Sequence, residues 1–301
     1  MSLSYLGFHA VFLCPPILVL GWLTYRRVGL SQTRRRWRRR VGTGLAIIVA
    51  LAVVYTTPWT NLLIPRGVWW YGEGVVRGTI WHTPLEEYLF FVLQPILTAL
   101  VLVLVGFRLS ASDRSSRVEL RLPRRHRIAG ATAGLAVTVV GWALLGPGST
   151  ETYYLGALLL WAGPILALQW AVGATYLWAN RRLVALAIGL PTLYLWLADR
   201  IALERGLWHI SETHTTGYAL AGLPLEEALF FLVTNAFVVQ GIVLYAWVVE
   251  RADELPSLVD LRRMGRRSSW LAQKVQRERE PEPEPELEPE PNPDADLTDA
   301  P

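Results

Sequence analysis

The sequence predicts an all-α polytopic membrane protein, with seven transmembrane helices arranged as two parallel three-helix repeats and one linking helix. Three observations carry this reading. The 301 residues are 52% hydrophobic and only 18% charged, with a mean hydropathy of +0.30, too apolar for an ordinary soluble domain. The chain contains apolar runs of about 20 residues, which at 1.5 Å per residue match the ~30 Å hydrocarbon core of a bilayer. One pattern also occurs twice, as Thr83-Pro-Leu-Glu-Glu-Tyr-Leu-Phe-Phe91 and as Leu223-Pro-Leu-Glu-Glu-Ala-Leu-Phe-Phe231.

The first run, Leu3–Tyr25, has no basic stretch before it and Arg26-Arg27 after it, so it reads as a retained span and not a cleavable signal. The second is Val41–Ile64. The third, Pro84–Gly106, opens on the first carboxyl pair. The fourth, Ile128–Gly146, carries Gly130-x-x-x-Gly134, a spacing that lets helices approach closely and is read as packing. Tyr153–Trp178, Leu183–Ile201 and Leu223–Val249 complete the seven, the last opening on the second carboxyl pair. Beyond Glu278 the chain alternates Glu with Pro and cannot bury enough apolar area to offset its ordering entropy. The organisation expected is a first repeat over 1–110, a basic cytoplasmic loop and linking helix over 111–150, a second repeat over 151–250, and a disordered cytoplasmic tail over 251–301, Arg-rich and then Glu/Pro-rich.

Arginine sets the orientation. It is concentrated at Arg34–Arg40, between Arg108 and Arg127, at Arg181-Arg182 and from Arg251 onward, whereas the alternate connections are poorer in it. The Arg-rich side is cytoplasmic, which puts the N-terminus outside and both Pro-Leu-Glu-Glu motifs at the outer mouth. The pI of 9.4 reflects these loops and not a folded basic face, so no nucleic-acid partner is expected. The single Cys14 excludes an internal disulfide framework.

The duplication reaches past the motif. Tyr5-Leu6-Gly7 with Pro16-Ile17-Leu18 recurs as Tyr154-Leu155-Gly156 with Pro164-Ile165-Leu166, and Arg66-Gly67-Val68-Trp69 recurs as Arg205-Gly206-Leu207-Trp208. A three-helix repeat would be inverted in its second copy, so the fourth helix restores the orientation and makes the copies parallel about an axis along the membrane normal.

Adjacent carboxyl groups at a membrane helix end are expensive and need a reason. In the first copy Thr83-x-x-Glu86 fits a capping box. In the second, Leu223 has no oxygen to cap with, yet Glu226 and Glu227 remain. The macrodipole favours a carboxylate by about 0.3–1 kcal/mol, less than one pKa unit, whereas sequestration from water raises a carboxylic acid by up to roughly 3–5 units. At least one Glu of each pair is therefore expected to hold a proton in a closed site. Phe90 and Phe91 lie one helical turn after Glu86 and Glu87, and Phe230 and Phe231 repeat this. With Trp69, Trp70, Trp81 and Trp208 they can line an apolar pocket whose π faces stabilise a carbocation, although interfacial aromatic belts are also ordinary in membrane proteins.

Pro84-Leu85-Glu86-Glu87-x-x-Phe90 and Pro224-Leu225-Glu226-Glu227-x-x-Phe230 resemble the P-x-E-E-x-x-F signature of the membrane-integral lycopene cyclase family, in its fused tandem form. The resemblance spans about Leu3 to Val249. It implies conversion of the ψ-ends of lycopene into β-rings, through γ-carotene to β-carotene, by an intramolecular lyase or isomerase with no net redox change. Lycopene and γ-carotene would arrive from the lipid phase. Glu86 and Glu226 are expected to donate the proton, with Glu87 and Glu227 tuning acidity or taking a proton back. Phe90, Phe91, Phe230, Phe231, Trp69 and Trp208 are expected to bind substrate. The family pattern places an acidic residue after Pro-Trp, but Pro58-Trp59 is followed by Thr60, and the aligned position in the second copy is Asp199. Asp199 either orients a catalytic Glu or pairs with Arg200 or an outer-loop charge.

No cofactor or metal is expected. Gly42-x-Gly44 lies within a span and not at a strand-to-helix turn, and His82, His209 and His214 lack a ligand pattern. A retinal Schiff base needs an intramembrane lysine, and Lys274 in the tail is the only lysine. Two readings stay open beside cyclisation: a carotenoid hydratase trapping the same cation with water, and a proton-coupled transporter using paired Glu as a relay.

Overall fold

The computed structural model describes residues 3–28, 32–112, 124–146 and 150–254. The basic-loop residues Arg114, Arg117 and Arg121 and the expected tail beyond Glu254 lie outside these. Seven segments among the described residues are long and apolar enough to cross a membrane: Tyr5–Arg27, Arg39–Arg66, Leu85–Phe107, Arg124–Leu144, Tyr153–Ala179, Arg181–Glu204 and Leu225–Glu250. Each overlaps one of the apolar runs, so the all-α polytopic architecture holds.

The first span is a short helix α1 (Tyr5–Phe8), a π-helical turn (His9–Leu13) and α2 (Cys14–Val28). Between Tyr5 and Pro16 the first copy has one residue more than the second has between Tyr154 and Pro164. The π turn absorbs that extra residue, the Cys14 N–H donating to the His9 carbonyl. Pro15 and Pro16 follow it, and neither has an N–H to offer the preceding turn. Next come α3 (Gln32–Leu63), strands β1 (Trp69–Tyr71), β2 (Thr79–Ile80) and β3 (Thr83–Pro84), and α4 (Leu85–Ser112). The linking helix is α5 (Arg124–Leu144), followed by α6 (Tyr153–Ala179) and α7 (Arg181–Glu204). The connection between α7 and α8 holds β4 (Trp208–Ile210), β5 (Ala219–Leu220) and β6 (Leu223–Pro224), and α8 (Leu225–Glu254) ends the described chain.

Hydrogen bonds recur at corresponding positions of the two copies. Tyr55 donates to the Trp161 carbonyl at 2.8 Å, and its counterpart Tyr194 donates to the Phe12 carbonyl at 2.6 Å. Gly72 N donates to the Leu207 carbonyl and Ser211 N to the Val68 carbonyl. The β1–β4 ladder is antiparallel, with Trp69 opposite Ile210, Trp70 opposite His209 and Tyr71 opposite Trp208. Trp70 and His209 are equivalent in sequence, so this ladder carries a local two-fold through its central pair.

Glycine fastens the linking helix. A Cβ on Gly134 of α5 would overlap the backbone of Ala167 on α6, one on Gly141 would overlap Leu160, and one on Gly163 of α6 would overlap Thr138. The small-residue spacing read in the sequence thus packs α5 directly on α6.

A buried polar cluster ties α4, α7 and α8 together. Gln94 Nε2 and Thr98 Oγ1 donate to Asn235 Oδ1 at 2.6 and 2.5 Å, and Asn235 Nδ2 donates to Thr192 Oγ1 at 3.0 Å. The positions equivalent to Asn235 and Thr192 in the other copy are Pro95 and Val53, so this cluster has no counterpart there.

Candidate active site

Each carboxyl motif opens its helix from a two-residue hairpin, β2–β3 before α4 and β5–β6 before α8. The tight reversals need left-handed backbone at Trp81 (φ 57°) and Ala221 (φ 51°), a conformation that costs energy in a residue with a Cβ. The hairpins are tied down by bonds to their helices. Leu85 N donates to the Gly78 carbonyl and Leu225 N to the Tyr218 carbonyl.

Neighbouring residues on an α-helix point about 100° apart, so the two carboxyls of each pair separate. The first of each pair turns to the loop. Glu86 Oε1 accepts from the backbone N–H of Arg77 at 3.0 Å, and Glu226 Oε1 accepts from the N–H and the hydroxyl of Thr216, each at 2.8 Å. The second of each pair turns inward. Glu87 accepts from the Tyr71 hydroxyl, which itself accepts from Trp69 Nε1 at 3.2 Å. Glu227 Oε1 accepts from the Tyr154 hydroxyl at 2.7 Å.

Glu87 and Glu227 line one small chamber of about 70 Å³, together with Asp199. Its walls come from both copies and include Trp69, Trp208, Phe90, Phe91, Phe230 and Phe231. All six aromatic residues expected to bind substrate therefore meet in one place. The rings interlock across the copies: Trp59 stacks on Phe230 with centroids 5.8 Å apart, and Phe90 meets Phe231 edge-on at 6.2 Å. Trp70 and Trp81, also weighed in the sequence, are exposed. Glu86 and Glu226 are 3% and 0% exposed, yet neither lines the chamber. Among the residues whose burial is described no Arg or Lys is buried, and none of either type lines the chamber.

The capping box read at Thr83 and Glu86 is not made. Thr83 sits in β3 with its hydroxyl 2.9 Å from that of Thr60, and Glu86 is drawn to Arg77 N because the hairpin brings that free donor closer. Thr60, at the position aligned with Asp199, thus ties α3 to the hairpin. Of the two readings of Asp199, pairing with Arg200 does not occur. Asp199 Oδ1 accepts from Trp208 Nε1 at 2.9 Å, while Arg200 pairs with Glu204 at 2.9 Å. Asp199 lines the chamber beside Glu227.

The sequence reading missed the hydroxyls. Tyr154 is visible in the sequence as part of a repeated Tyr-Leu-Gly, which marks only the duplication. Tyr71 had no signal, since its counterpart is Ile210. Burial, and then the nearby Glu87 charge, push the Tyr71 hydroxyl well above its ordinary value. It stays a neutral donor through the physiological range.

Fold and site together define a seven-helix integral membrane protein with carboxyl groups gathered in an aromatic chamber. The Lycopene cyclase family model matches residues 5–105 and 150–247, and the chain belongs to that family. It is 45% identical over 251 residues to a lycopene beta-cyclase of Halobacterium salinarum, covering 83% of this chain and 99% of that protein. A bifunctional lycopene cyclase/phytoene synthase of Pyrenophora tritici-repentis is 36% identical over 247 residues, 80% of this chain and 41% of that longer protein. No solved structure matches the chain.

Proposed function

We propose that this chain is a lycopene β-cyclase that closes the ψ-ends of lycopene into β-rings in one shared chamber, by acid–base chemistry without net redox change. The observation that carries the reading is the convergence of Glu87, Glu227 and Asp199, from both copies, on a pocket walled by aromatic rings. A protonated carboxyl adds its proton to C2 of the terminal C1=C2 bond, leaving the cation at C1. The C5=C6 electrons form the C1–C6 bond and move the cation to C5. A carboxylate then removes the C6 proton, and the C5=C6 bond is restored within the ring. One proton enters and one leaves, so the product is isobaric with the substrate.

In this reading Glu87 and Glu227 exchange the protons, Asp199 supports Glu227, and Glu86 and Glu226 hold the hairpins that roof the chamber. Phe90, Phe231 and the tryptophans face the cation, each contact contributing about 0.5–2 kcal/mol. The enzyme lies in the cell membrane with the chamber toward the outer face, N-terminus outside and C-terminus cytoplasmic, as the Arg distribution favours.

Expression in a lycopene-accumulating host tests this by pigment chromatography. γ-Carotene and β-carotene are expected, and membranes that convert preformed lycopene in D₂O should retain one solvent deuterium per ring. Products heavier by one water, or unchanged lycopene beside abundant membrane-inserted protein, would refute it. Tyr71→Phe removes the donor to Glu87, a charge-assisted bond of about 1.5–3 kcal/mol. It is expected to cut ring formation per enzyme by roughly ten- to a hundredfold, with the amount of protein in the membrane unchanged.

A further inference from the structure

A second, larger cavity of about 390 Å³ lies between α3, α4, α6 and α8. Its lining runs from Gly44, Tyr245 and Val248 at one end to Phe90, Phe91 and Phe230 at the other, and these three phenylalanines are also walls of the carboxyl chamber. Its surface is overwhelmingly apolar. From Val248 back to Glu227 is 21 residues of α8, roughly 30 Å at 1.5 Å per residue. At its side, Ile47 and Leu51 of α3, Leu168 of α6 and Val248 of α8 line the cavity and are themselves exposed, so the groove is open toward the lipid-facing surface.

The groove has a physical origin in the two copies' unequal packing. On one side α7 packs along α4, with Ala187 and Pro191 buried and the Asn235–Thr192 bond tying α7 to α8. On the other side the equivalent of α7 is α3, and the equivalents of Asn235 and Thr192 are Pro95 and Val53, which cannot make that bond. Pro95 also lacks the N–H that would close the turn of α4, and it lines the groove. α3 packs along α4 instead and meets α8 sparsely, as where Tyr245 packs against Gly44 and Ile48 against Gly241. The space that α7 fills on its side stays open here.

Resting on the cyclase reading, we infer that this groove holds the polyene body of the carotenoid while one end sits in the chamber, and that it is the route by which substrate enters from the lipid. An apolar channel of bilayer length that ends at the chamber's own phenylalanines suits a long unsaturated hydrocarbon. With one groove serving one chamber, the two ends are cyclised in succession: the monocyclic product withdraws and returns reversed.

The test fills the groove and its symmetry-related face in parallel, with products measured in lycopene-producing membranes. Ala52→Leu, Ala52→Trp and Leu168→Trp narrow the groove, whereas Leu190→Trp places the same bulk on exposed α7, the counterpart of α3. Expected is a graded loss, exceeding tenfold for Ala52→Trp and Leu168→Trp, with Leu190→Trp within twofold of wild type at equal membrane content. If Ala52→Trp does not insert, Leu168→Trp at the exposed mouth decides alone. Groove variants as active as wild type, or an equal loss at Leu190→Trp, would overturn the groove. Absence of ring product from the wild-type chain would instead overturn the cyclase reading.

Discussion

Glu87→Gln and Glu227→Gln are each expected to lower ring formation by about a hundredfold or more, the range that general acid–base groups supply. Glutamine keeps the size and the hydrogen-bond acceptor for Tyr71 or Tyr154, so the chamber's shape survives while its exchangeable proton is lost. Glu86→Gln and Glu226→Gln are expected to stay within about threefold of wild type, because the amide oxygen still accepts from Arg77 N or Thr216 N and the hairpins stay closed. Glu86→Leu differs: it strands a loop N–H, at about 1–3 kcal/mol, and should reduce the amount of folded protein. Carotenoid yield per membrane-inserted enzyme separates these outcomes. This proposed division of labour differs from the roles that the sequence resemblance implies, and its basis is the single helical step between neighbouring residues.

The second large effect is structural. Gly134→Leu would drive a side chain into the backbone of Ala167, and neither helix can yield locally because Gly141 and Gly163 make equally close approaches along the same interface. Overpacking costs typically about 1–3 kcal/mol and occasionally more. Here it acts on backbone, so the expected result is a strong drop in folded protein, read as loss of a monodisperse peak after detergent extraction. Leu135→Ala, on the exposed side of the same helix, should extract as wild type does.

Much of this architecture is legible in the chain because membrane helices declare themselves by length and hydropathy, with no tertiary context needed. The paired motifs and the aromatic residues were equally plain, since duplication prints them twice. What stayed hidden was direction. Nothing in Glu86-Glu87 says which carboxyl faces inward; that depends on the hairpin, whose free donors at Arg77 and Thr216 claim the first Glu of each pair. The capping box at Thr83 failed for the same reason, a closer partner in the fold. Tyr71 was invisible because only one copy has it. The groove was invisible too, since it depends on which neighbour α3 packs along, and apolar runs alone do not say.

The most direct measurement of whether the two copies share one chamber is the turnover of Glu87→Gln, Glu227→Gln and their combination, with monocyclic and bicyclic products quantified separately. Groups that act as a unit are not additive. A shared chamber predicts that both single variants lose both products and that the double variant falls no further. If each single variant kept about half the wild-type rate, and only the double variant were silent, the copies would be working as independent sites and the shared chamber would be wrong.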